Sequence, residues 1–223
     1  MLENSSSPDE TACAAGRFAA GEDPAKREQI LDGAKRVFMR LGFDAASMND
    51  ITREAGVSKG TIYVYFESKD DLFAAFMERE RMRTAASMRD ILDGSEEVEE
   101  GLSRFGLAFV QRVTSDETIS AMRTMISVAS RMPILSQRFF QGDSMNISFF
   151  LERFFIRQIT RGALQVNDVS LASRHFIDLC SGTFIKMRLF GHMTEPPRPE
   201  EIEKHVASAV KLFMAGYGVN NCP

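Results

Sequence analysis

Four helix N-cap signals crowd into the stretch between residues 23 and 68, and their spacing leaves room for little except three short helices and the start of a fourth. Asp23 precedes Pro24, a capping acid before the residue best tolerated at the first helical position. Ile30, Leu31, Ala34, Val37, Phe38 and Leu41 then recur at helical spacing and form one apolar stripe. Gly42 marks the end of that helix, with Phe43 folding back as its hydrophobic partner. Ser47 and Asp50 make a capping box for a very short second helix, with Ile51 and Ala55 inward and Gly56 as its stop. Ser58 caps a third helix from Lys59 to about Phe66, with Ile62 and Phe66 on its inner side. Ser68 and Asp71 form another capping box and open a long helix whose apolar face begins with Leu72, Phe73, Phe76 and Met77. That helix reaches about Leu92, where Asp93-Gly94-Ser95 ends it.

The remaining chain predicts five more helices, over approximately 96–114, 116–131, 133–162, 167–190 and 198–216. No run of period-two alternation or internal repeat interrupts this pattern, so the fold class is all-α, with about nine helices. The expected organisation is a flexible tail at 1–22, a three-helix domain at 23–67, and a linking helix plus larger helical domain at 68–223. The chain has 223 residues, 44% of them hydrophobic and 26% charged. That length supports a sizeable core without disulfides or metal, and the composition excludes wholesale disorder. No apolar run reaches the roughly 18–20 residues a bilayer span requires, so no membrane partner is expected. Cys13, Cys180 and Cys222 are odd in number and scattered, which fits a reducing cytoplasm.

The overall charge of −4 argues mildly against a nucleic-acid partner. Its distribution argues the other way. Residues 24–69 hold eight Lys or Arg against six Asp or Glu, while residues 1–23 hold one against five. The link Ala55-Gly56-Val57-Ser58 between two short helices is a helix-turn-helix, whose second helix enters the DNA major groove. Its inner side is taken by Ile62 and Phe66, which leaves Lys59, Gly60, Thr61, Tyr63 and Tyr65 for DNA. Lys59 suits a phosphate or a guanine edge, Thr61 a thymine methyl, and the tyrosine hydroxyls phosphates. Gly60 permits close backbone approach. Ser47 and Ser58 at helix starts are candidate phosphate contacts. Lys69 is another, because a cation at a helix N-terminus opposes the macrodipole and a phosphate would relieve that conflict.

The run SMNDITREAGVSKGTIYVYFESKDDL, residues 47–72, resembles the DNA-binding domain of the TetR (tetracycline repressor) family. The AGVSKGTIY core, Phe66 and the Ser68-Lys69 pair carry the resemblance, which extends from Ile30 to Leu72. Tyr65 stands where the family often has histidine. The resemblance implies a transcriptional regulator: a homodimer joined mainly by its last two long helices, a small-molecule pocket in each subunit, and a palindromic DNA operator. MPILSQRFFQGD and FFIRQITRGAL also look like C-terminal domains of that family. The expected function is a ligand-responsive repressor. An activator, or a helical interaction protein that uses DNA only as an anchor, remains open as the alternative.

The C-terminal domain is rich in soft apolar side chains, with 18 Phe and 13 Met in the chain. For any one of them a core position is the plain reading; Met122, Met125, Phe150 and Phe154 are the candidates to line a pocket for a small, largely apolar effector. Arg153 and Arg157 are candidate partners for an anion, or else a solvated face. Two apolar stripes near the end could join subunits or bury within one. The resemblance favours the interface, which assigns Phe176, Leu179, Thr183, Phe184 and Met187 of one helix and Val206, Val210 and Phe213 of the other to it. His175, His192 and His205 are too scattered to hold a metal. No nucleophile–base set, phosphate loop or cofactor motif is present, so neither enzyme activity nor a cofactor is expected.

Overall fold

A computed structural model describes residue 19 and residues 21–131 and 147–219. Among these residues the chain forms α1 (Pro24–Ala45), α2 (Met48–Ala55), α3 (Lys59–Tyr65), α4 (Lys69–Asp93), α5 (Val98–Thr114), α6 (Asp116–Val128), α7 (Ile147–Thr160), α8 (Val169–Leu189) and α9 (Pro199–Tyr217). The one extended pairing is an isolated bridge between Leu164 and Gly218. The helix expected over 133–162 is present from Ile147; its earlier part, Pro133 and the run MPILSQRFFQGD lie outside the described residues. So do most of 1–22, Cys13 and Cys222.

The caps form where their spacing places them. Asp23 accepts the N–H groups of Ala25 and Lys26, and the Ser47–Asp50 box closes in both directions. Ser58 accepts from Thr61 N–H, and Ser68 from Asp71 N–H. One detail differs. The Asp71 carboxylate takes the N–H of Glu67, not that of Ser68, so the box at the start of α4 is displaced by one residue. Gly42 and Gly56 adopt positive φ, 74° and 64°: Gly42 kinks α1 near its end, where the sequence suggested a stop, and Gly56 lets the chain turn sharply between α2 and α3.

Two cores result. The head core joins Ile30, Leu31, Val37 and Phe38 of α1 to Ile51, Ile62 and Phe66. It is completed by Leu72, Phe73, Phe76 and Met77 of α4 and by Met125 and Val128 of α6. The expected boundary at 67/68 therefore runs through a continuous core, since an amphipathic α4 buries its first turns against the head. Phe73 meets the rings of Phe38, Phe43 and Phe76 at centroid distances of 5.2, 4.9 and 6.1 Å. The body core is built around α5, whose Leu102, Phe105, Phe109 and Val110 pack among α4, α8 and α9. At Gly106 the α5 backbone comes so close to α9 that a Cβ would lie 2.7 Å from Val206 Cγ1.

The body corrects several expectations. Phe176, Val206, Val210 and Phe213 are buried within this one chain. Phe213 packs on Phe155 and Phe176, at 5.0 and 5.3 Å. Of the eight residues assigned to a subunit interface, Leu179 and Thr183 are exposed, and Phe184 and Met187 are half-buried. An apolar stripe only says that something covers it; here α5 and α7 already do. Arg157 caps the end of α4, donating to the carbonyls of Leu92 and Ser95, and Arg153 lies over the Phe149 ring. Cys180 is fully buried, and burial pushes its thiol up to about 12, which makes it an inert core residue.

Candidate nucleic-acid interface and seam cavity

The DNA candidates divide into those held by the fold and those left outward. At about 100° per residue along α3, Ile62 points to the core and Gly60 and Val64 stand nearly opposite it. Lys59, Gly60, Tyr63 and Val64 are exposed, Tyr63 at 46% and Val64 at 51%. Val64 was absent from the sequence-derived set although the helical wheel alone would have found it; a valine reads as core until its angle is counted. The Thr61 hydroxyl is bonded to Ser58 Oγ at 2.7 Å, so both side chains serve the cap. Tyr65 is half-buried and packs against the head core with only part of its ring free.

Ser47 is exposed, but its hydroxyl is engaged with Asp50 in both directions. That bond, with a Ser47 backbone bond and the Arg53 charge, outweighs the opposing effect of desolvation and leaves the Asp50 carboxyl below its ordinary range. Lys69 is placed differently from expectation. Its ammonium donates to the carbonyls of Phe43, Ala46 and Asp44, at 2.7, 3.0 and 3.4 Å, and sits 4.4 Å from the centre of the Phe43 ring. The carbonyl end of α1 thus supplies the negative partner that the sequence reading gave to a phosphate. Elsewhere Arg36 and Arg40 bind Glu54 and hold its carboxyl low, pinning α2 to α1.

A cavity of about 140 Å³ lies at the seam of head and body. Its walls are mainly apolar: Phe76 and Met77 of α4, Val113 of α5, and Ala121 and Met122 of α6. Of the expected pocket residues only Met122 lines it. Met125 belongs to the head core and Phe150 and Phe154 to the body core, because each faces a packed neighbour and not the gap. Beside the cavity runs an ion cluster. Lys35 of α1 meets Glu80 and Glu117, and Arg112 meets the same two carboxylates. Burial raises the pKa of the Glu117 carboxyl, but the Lys35 bond and the Arg112 charge outweigh it and leave the pKa below its ordinary value. Arg79, with only 7% of its side chain exposed, reaches Glu28 and Asp32 of α1. Among the described residues no group of His, Cys, Asp and Glu is arranged to hold a metal ion, and no helix is long and apolar enough to cross a membrane.

The sequence and the fold resemble those of known proteins. A family model described as bacterial regulatory proteins, tetR family, matches residues 30–76. A second, described as AefR-like transcriptional repressor, C-terminal domain, matches residues 100–219. An HTH-type transcriptional repressor of Mycobacterium tuberculosis is 42% identical over 77 residues, 30% of this chain and 41% of that protein. An HTH-type nicotine-responsive transcriptional repressor of Paenarthrobacter nicotinovorans is 34% identical over 92 residues, 41% of this chain and 47% of that one. The chain thus spans less than half the length of these two curated relatives. A TetR-family regulator from Mesorhizobium loti, known as a crystal structure, shares 26% identity with a TM-score of 0.80, over 87% of this chain and 98% of that one. Since the tetR-family model covers the head and the repressor model more than half of the chain, this protein belongs to the TetR family of bacterial transcriptional regulators.

Proposed function

We propose that this chain is a ligand-responsive transcriptional repressor that works in the cytoplasm and binds a palindromic operator as a homodimer. The observation that carries the reading is the outward face of α3. Lys59, Gly60, Tyr63 and Val64 project together, while neighbouring polar groups are spent on caps and ties. Lys59 and Tyr63 contact phosphate or base edges, Gly60 lets the backbone close in, and Val64 offers methyls to thymine. Ser47, Ser58, Thr61 and Tyr65 shape this face and add contacts where their second lone pair or ring edge is free. One such helix reads few base pairs. A two-fold dimer doubles the site, at half-site spacings of about 34–36 Å or a multiple. The dimer forms through the outer faces of α8 and α9, where Leu171, Leu179, Thr183 and Leu212 remain exposed.

Release follows from the seam. The cavity separates α4 from α6, and both helices also supply the head core. A small molecule seated there moves one against the other and carries α1–α3 with them, provided it binds one arrangement better than the other. The relative from Paenarthrobacter nicotinovorans, named for its response to nicotine, supports small-molecule control.

Fluorescence anisotropy against DNA flanking the gene, over a salt series with unrelated DNA as competitor, tests this reading. The expected result is saturable binding that survives competition, with log affinity falling linearly in log salt. Binding no tighter than to competitor, for both that DNA and fragments selected from the genome, would remove the repressor reading.

A further inference from the structure

The cavity at the seam also limits what can fill it. Its volume of about 140 Å³ is close to that of an engineered apolar cavity, roughly 150 Å³, that takes up benzene. One ring with a short substituent matches that volume. Phe76, Met77, Val113 and Met122 offer an aromatic ring and two adaptable thioethers, a surface suited to another ring.

The charges around it are already matched. Glu80, Glu117 and Arg112 bind one another directly or through Lys35. Arg81, also on the wall, gives Nε and Nη2 to the Glu78 carboxylate at 3.0 and 2.6 Å. Its charge is therefore balanced. Its remaining donor is not: Nη1 is buried and, among the described residues, has no hydrogen-bond partner. A buried donor without an acceptor is unfavourable, and so is a buried ion without a free counter-charge. An occupant that brings an oxygen but no charge resolves the first without incurring the second.

We propose that the cavity takes an uncharged monocyclic aromatic compound with one oxygen acceptor, such as an aryl ketone, and that Arg81 turns its covered Nη1 into the cavity to donate to that oxygen. As an assignment of effector class this rests on the reading of the cavity as the regulatory site.

Titration calorimetry on the full chain without DNA tests it, with acetophenone, toluene and benzoate as probes. Acetophenone is expected to bind at least tenfold tighter than toluene, and benzoate weakest. Arg81→Met should bring acetophenone down to the level of toluene and leave toluene unchanged. Ala121→Leu should abolish binding of both by filling the space. Equal affinity for acetophenone and toluene, tightest binding by benzoate, no binding by any probe, or a preference untouched by Arg81→Met would each overturn the proposal. Anisotropy on operator DNA separates it from the reading it rests on. Arg81-dependent binding without DNA release keeps the ligand class and removes the effector role. Release by other compounds, with acetophenone failing to bind, keeps the effector role and removes the ligand class.

Discussion

The head and the body are both built of helices among the described residues, yet they are held together over different distances along the chain. In the head, each helix begins on a side chain that satisfies an N–H two or three residues later: Asp23, Ser47, Ser58 and Ser68. In the body the decisive contacts join residues far apart, as when Phe213 stacks on Phe155 or Arg188 ties Asp116 and Thr114 to the end of α8. A cap is a local device that works whatever lies above it. An aromatic face is a demand for a partner, and the partner can come from the same chain or from another.

The largest expected effect sharpens that difference. Phe176→Ala should cost about 3–5 kcal/mol of stability, because its ring is fully buried between Phe105 and Phe213. Leu179→Asp, three positions on and exposed, should leave the stability of the single chain nearly intact and weaken self-association. Urea melts and sedimentation at rising concentration read the two. If Phe176→Ala dissociated a dimer without destabilising the chain, the buried and outward stripes would have to be exchanged.

Lys69 and Lys59 form the next pair. Lys69→Met should cost about 1–3 kcal/mol, since three carbonyls lose their donor, and should leave the salt dependence of DNA binding unchanged. Lys59→Met should change stability by no more than about 0.5 kcal/mol and lower the salt slope by about one. A slope lowered by Lys69→Met would return Lys69 to the interface. Tyr63→Ala should weaken operator binding roughly tenfold, about 1.4 kcal/mol, with an unchanged melting temperature. Equal affinity in the variant would take Tyr63 out of the site.

The smallest effect is on acidity at the seam. The Glu117 pKa lies below its ordinary value of 4.5 in the folded chain. A carboxylate shifted this way adds stability that is fully present above pH 4.5 and is lost as pH falls through the lowered folded value. Glu117→Gln should flatten the acid limb of the stability profile below pH 4.5 and leave the neutral plateau nearly level. An identical acid limb in the variant would show that the Lys35–Glu117–Arg112 cluster is too solvated to matter.

The legible parts of the molecule were those in which cause and effect lie within one helical turn. The nine helices among the described residues, the turn at Gly56 and the caps could be read because backbone satisfaction is a local requirement. The outward face of α3 was mostly legible for the same reason, since the inward pair Ile62 and Phe66 defines what is outward on so short a helix. Val64 was missed because its type was weighed before its angle. Lys69 was misplaced because its partners, the carbonyls of Phe43 and Ala46, lie more than twenty positions away. Met125, Phe150 and Phe154 could not be told from pocket residues, since core and pocket walls draw on the same side chains.

By itself, then, the sequence determined where helices start, which short helix follows the turn at Gly56 and what it turns outward, and that the rest is a helical body with apolar faces. Tertiary structure alone decided which of those faces meet inside one chain, that α4 and α6 belong to the head core as well as the body, and where a gap remains between them. Capping and periodicity act through bonds a few residues long, so they are written in adjacent letters. Burial depends on which surfaces arrive opposite one another in space, and no single segment carries that information.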